Sequence, residues 1–134
     1  MKTASAQERM EVLDEAIGIY TRELGRAAGR AKRIADKKQR KAVTDFLWAA
    51  GVTAEQLRAY HQHPSEDAAE DAARGLLSLS PAALFTIWIQ LGGLLRWHNR
   101  IEQICRDALD MLDILATCSP IARAIADEKF AESE

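Results

Sequence analysis

The chain has 134 residues, 48% of them apolar, which suits one globular domain with a buried core. Its 18 basic and 20 acidic residues leave a net charge of −2, so the bulk charge does not mark a general polyanion binder. No stretch reaches the roughly 20 apolar residues of a membrane span; the most apolar run, 82–95, is shorter and Arg96 closes it. No apolar signal region opens the chain, and Cys105 and Cys118 have no metal-type spacing. A cytoplasmic protein without cofactor or metal is expected.

Ser5 and Glu8 form a capping box for a first helix, predicted from Ala6 to at least Lys38. Met10, Leu13, Ile17, Tyr20, Leu24, Ala27, Ala31 and Ile34 recur at steps of three and four, so one face of that helix is apolar. Arg22, Arg26, Arg30, Arg33, Lys37 and Lys41 take the same steps on the opposite face. On an unbroken helix that basic row would be about 28 Å long at ~1.5 Å per residue. The segment 22–41 carries nine basic residues against Glu23 and Asp36, and an acidic cluster follows at Glu66, Asp67, Glu70 and Asp71. The chain is a charge dipole. The basic row could neutralise several nucleic-acid phosphates, or it could be a solvated face or one paired with the acidic cluster.

Val43, Phe46, Leu47 and Ala50 form a short apolar set that Gly51 is placed to cap. Thr53 and Gln56 look like a second capping box, opening a helix with Leu57 and Tyr60 inward. Two short helices around Gly51-Val52 follow the logic of a helix-turn-helix, in which Thr53, Glu55, Gln56 and Arg58 would be exposed to DNA.

The run Ala49-Ala50-Gly51-Val52-Thr53-Ala54-Glu55-Gln56-Leu57-Arg58-Ala59-Tyr60 resembles a helix junction in small mobilisation (relaxosome accessory) proteins of conjugative plasmids. Leu91-Gly92-Gly93-Leu94-Leu95-Arg96 is similar to a Leu-Gly-Gly-Leu element in some of them. The resemblance covers fewer than twenty residues and implies binding to a transfer origin through a ribbon-helix-helix fold. In this chain no basic strand precedes Val43, and the long N-terminal heptad helix has no counterpart in that family.

His61 and His63, ahead of Pro64, Glu66 and Asp67, could converge on a metal from a loop but would diverge on a helix, and no further ligand has firm spacing. Arg58 to His63 also spells Arg-x4-His, similar to the signature of HEPN ribonucleases. That resemblance would put the arginine and histidine to work on an RNA phosphodiester. No phosphate-binding glycine loop or nucleophile triad accompanies it.

Pro64 ends the preceding helix, and Ser65 caps a short one that buries Ala69, Ala72, Ala73, Leu76 and Leu77. Ser80-Pro81 and Ser119-Pro120 each place a capping serine before a proline at the first helical position. A fifth helix is therefore predicted over Pro81 to Thr117, and a last short one with Ile121, Ala124, Ile125 and Phe130 inward. On the fifth, Leu84, Ile87, Leu91, Leu94, His98, Ile101, Cys105, Ala108, Leu112 and Leu115 make a coiled-coil-like heptad stripe. Trp88, Leu95, Trp97, Ile104, Leu109 and Met111 widen it on both sides. A face this wide needs partners on two sides. This helix is therefore the central element of the fold or of a dimer interface; a homodimer is expected, with Leu91, Leu94, His98, Ile101 and Leu112 in the interface. His98 in the seam could set register, or sit at the rim bonded to a neighbour.

No period-2 pattern occurs, so the expected fold is all-α: one domain over 1–134, two long heptad-patterned helices and about four shorter ones. The expected role is non-enzymatic, a small accessory or regulatory protein associated with nucleic acid through its basic helix face. Arg22, Arg26, Arg30, Arg33, Lys37, Lys41 and Arg58 are its candidate contacts. A helical protein–protein interaction module, an adaptor or inhibitor, is the alternative, and a HEPN-like ribonuclease a remoter one.

Overall fold

A computed structural model describes residues 5–79 and 84–132, with side chains described as far as Glu128. Six helices follow in order: α1 (Ala6–Ala31), α2 (Lys37–Gln62), α3 (Glu66–Ser78), α4 (Phe85–Leu91), α5 (Leu95–Cys118) and α6 (Pro120–Glu132). There is no strand among the described residues, so nothing here supplies the ribbon of a ribbon-helix-helix.

The capping serines act as their positions predict. Ser5 Oγ accepts from the Glu8 amide at 3.1 Å and Ser65 Oγ from Ala68 at 3.1 Å. Ser119 Oγ accepts from Ala122 at 3.4 Å, with Pro120 as the first helical residue. Each bond satisfies an amide that the helix leaves unpaired. Ser80-Pro81 lies outside the described residues.

Three boundaries differ from the sequence expectation. The first helix does not run to Lys38; it ends at Ala31, and the chain turns through 32–36. Asp36 is the reason: its carboxylate accepts from the Gln39 amide at 2.8 Å and starts a new helix there. Arg40 donates to the Ile34 carbonyl at 3.0 Å, closing the turn, and Ile34 stays buried. Secondly, Gly51 caps nothing. α2 passes through it without a positive φ, and Thr53 Oγ1 donates back to the Ala49 carbonyl at 3.2 Å, within the helix. Val43–Tyr60 is thus one continuous helix, and the helix-turn-helix is not formed. Thirdly, the predicted fifth helix breaks at Gly92. With φ 53° and ψ −119°, Gly92 takes the first central position of a type II′ turn, and the Leu94 amide donates to the Leu91 carbonyl at 3.1 Å. Gln39 Nε2 also donates to that Leu91 carbonyl at 2.9 Å, tying the start of α2 to the break.

α1 packs against α2 on one side and α5 on the other, α3 against α2, α5 and α6, and α4 bridges α2 and α5. The core is continuous across them. Leu13, Ile17, Leu57, Leu76, Leu91, Ile101, Leu112, Leu115 and Ile125 are essentially without exposure. Each such side chain contributes about 1.5–3 kcal/mol by leaving water. The wide apolar face of α5 finds its two partners within one chain: α1 on one flank, α3 and α6 on the other. No described helix is long and apolar enough to cross a membrane.

Candidate nucleic-acid interface

The turn at 32–36 folds the basic row in two. Arg22 stays exposed on α1. Lys37 and Lys41 move to the first turns of α2. They line a depression with Lys32, Lys38 and Arg40, where Lys41 pairs with Asp45 at 2.7 Å. Arg58 lies elsewhere, beside the seam between α1 and α2. The 28 Å row is therefore not one surface, because the two halves belong to antiparallel helices.

Arg26, Arg30 and Arg33 instead meet two arginines that the periodicity did not single out. The break at Gly92 sets the first turns of α5 beside the last turns of α1, and Arg96 and Arg100, four residues apart, line the same hollow. Two adjoining depressions of about 480 and 780 Å³ share Arg30, Arg96 and Arg100. Arg26 and Glu23 stand at one end, Arg33 and Leu95 at the other. Asn99 and Gln103 add neutral amides.

The groove is positive by construction. None of its five arginines forms an ion pair with a described residue, and Glu23 is its only acid. Burial first, then the charges of Arg30 and Arg96, lower the Arg100 pKa from its ordinary value; the group remains a cation. The Arg100 guanidinium lies 4.9 Å from the centroid of the buried Trp97 ring, which fixes its plane while its N–H edges stay available. The amino end of α5 has no side-chain cap and no acid in its first turn, so its partial positive charge adds to the arginines. Bases at that end work against helix stability.

The remaining candidates are positioned as follows. Leu91, Ile101 and Leu112 are fully buried within the chain, and Leu94 and His98 are half-buried. Leu91, Ile101 and Leu112 are thus taken up by the chain's own core, while Leu94 and His98 keep part of their surface. His98 sits at the rim, its Nε2 donating to the Gly92 carbonyl at 3.1 Å, which holds the turn and fixes the tautomer. His61 lies in the last turn of α2, and His63 is its C-cap. Among the described residues, no three of His, Cys, Asp and Glu gather as metal ligands do.

Arg96 and Arg100 were legible in one respect: they follow a Gly-Gly pair at i and i+4, flanking a tryptophan. Only the reversal at Gly92 brings them to α1, and that is a tertiary fact. No family model matches the chain, and neither a curated protein nor a solved structure does.

Proposed function

We propose that this is a non-enzymatic accessory protein that binds the phosphate backbone of a nucleic acid in the arginine groove between α1 and α5. One observation carries the reading: Arg26, Arg30, Arg33, Arg96 and Arg100 line one continuous hollow, and none has an acidic partner among the described residues. Guanidinium groups match phosphate oxygens bidentately, and Arg100, stacked on Trp97, is already oriented for it. The binding mode is not that of a ribbon-helix-helix, which finds no strand among the described residues, and duplex DNA is the ligand on which the reading is tested.

The chain offers its own internal comparison. Substituting Arg26, Arg30, Arg96 and Arg100 together with glutamine removes the groove's charge except Arg33, at comparable helix propensity. Substituting Arg22, Lys37 and Lys41 removes charge outside it. The groove variant should bind a labelled duplex at least tenfold more weakly than the outer variant, with circular dichroism unchanged. Native-like binding by the groove variant would overturn the reading.

Phe85, Ile89 and Leu95 favour a second reading. All three are large apolar side chains more than half exposed, and Leu95 lines the arginine groove. A helical interaction module with a protein partner accounts for such residues. It becomes the leading reading if no nucleic acid binds at low salt.

A further inference from the structure

We infer that a second site, the groove between α1 and α2, binds an amphiphilic carboxylate: a single apolar chain ending in an anionic head. It shares no residue with the arginine groove, so neither reading rests on the other.

Absent side chains make this hollow. Gly25 on α1 and Gly51 on α2 line it, and a Cβ added to either would meet nothing within 4 Å. Leu24, Ala28 and Leu47 supply apolar surface, and Trp48, 73% exposed, stands over it as a wall. The volume is about 500 Å³, the size of a small-molecule site. An exposed indole beside an apolar hollow leaves both surfaces to water until something fills the space.

Charge selects the filler. The helices are antiparallel, so Thr21 and Arg58 mark one end of the groove and Lys32 and Thr44 the other. At the Arg58 end Glu55 offsets the cation. At the Lys32 end the groove leads into Lys37, Lys38, Arg40 and Lys41, with Asp45 as the sole acid and already paired to Lys41. An anionic head belongs at Lys32, and the chain runs back beneath Trp48 toward Thr21. From Thr21 to Lys32 the helix advances about 16 Å at ~1.5 Å per residue. With carbon–carbon bonds near 1.5 Å, an extended alkyl chain gains about 1.25 Å per carbon, so a chain of roughly twelve to fourteen carbons fits the length of the groove.

Sodium dodecanoate titrated into the full-length protein tests this by calorimetry and tryptophan emission, with dodecan-1-ol and dodecyltrimethylammonium alongside. Dodecanoate should bind at one equivalent and shift the emission to the blue. The alcohol should bind at least tenfold more weakly, and the cation not measurably. Gly51→Leu starts from a Cβ position that meets nothing within 4 Å, projects into the hollow and raises helix propensity, so it should fold and lose binding; Gly25→Leu is the second variant should that one misfold. Trp48→Phe should lose the emission shift, which assigns it to this indole, and weaken binding by removing part of the groove wall. Lys32→Gln should weaken dodecanoate severalfold and leave the alcohol unchanged. Absence of binding, equal binding of all three amphiphiles, or native-like binding by both glycine variants would overturn the assignment.

Discussion

Gly75→Ala should destabilise the protein even though it improves the helix. Alanine in a helix interior is worth about 1 kcal/mol over glycine. Against that gain, a Cβ at Gly75 would lie 2.8 Å from Thr53 Oγ1, 2.9 Å from Gln56 Oε1 and 3.2 Å from Thr53 Cγ2. The glutamine oxygen ends a flexible side chain and can swing away. Thr53 cannot: it is β-branched in a helix, only 4% exposed, and its hydroxyl is held by the Ala49 carbonyl. Overpacking of this kind costs about 1–3 kcal/mol, so the net loss should be about 1 kcal/mol. Urea denaturation of Gly75→Ala, Thr53→Ala and the double variant forms a cycle. In the Thr53→Ala background the same glycine substitution should be neutral or stabilising, leaving a coupling of about 2 kcal/mol within the range seen for contacting residues. If Gly75→Ala stabilises the native background, α2 and α3 are not in this register, and the continuity of α2 through Gly51 loses its support.

Gly92→Ala forces a side chain into a region that only glycine adopts freely; a loss of about 1–3 kcal/mol is expected, read as a lower urea midpoint. Ile101→Asp, at a position with no exposure, should abolish cooperative unfolding rather than only dissociate an assembly, which circular dichroism and light scattering together distinguish. In native protein a maleimide should label Cys118 and spare Cys105, whose thiol burial first, then Glu102, pushes up to about 12. That raised pKa gives a pH dependence with a defined sign. The folded state holds the proton that the unfolded thiol gives up near 9, so stability is full below pH 9 and falls between 9 and about 12. The buried Tyr20 hydroxyl, raised by burial and then by Cys105 and Asp107, acts in the same direction; a urea midpoint that rises over this interval would contradict both.

The helical class was readable because period and capping agree: Leu13 to Ala31 and Ile101 to Leu115 are buried as their spacing requires. The errors arose where one local signal had to be weighed against another. Asp36 and Gln39 form a capping box no weaker than Ser5 and Glu8, but the apolar stripe runs up to Ile34 and the basic row runs on through Lys37 and Lys41, and together they hid it. Gly51 can end a helix, but needs the following chain to leave; Thr53 and Ala54 are buried, so packing on α3 holds the helix straight through. Gly92 was the opposite case. It sits inside an unbroken stripe that both sides of the turn satisfy, since Leu91 and Ile101 enter the same core from two different helices. The arginine groove follows from that turn, and so only its α1 half was visible in the sequence.

The salt dependence of DNA binding by the native protein tests the central claim most directly. If the five groove arginines each contact a phosphate, the logarithm of affinity should fall against log salt with a slope of about −4.5, or roughly 500-fold between 50 and 200 mM. Fluorescence anisotropy of a labelled duplex measures this. The account predicts that slope, and a slope reduced to about −1 when Arg26, Arg30, Arg96 and Arg100 are glutamine. No binding at 50 mM salt, or a slope unchanged in that variant, would contradict it.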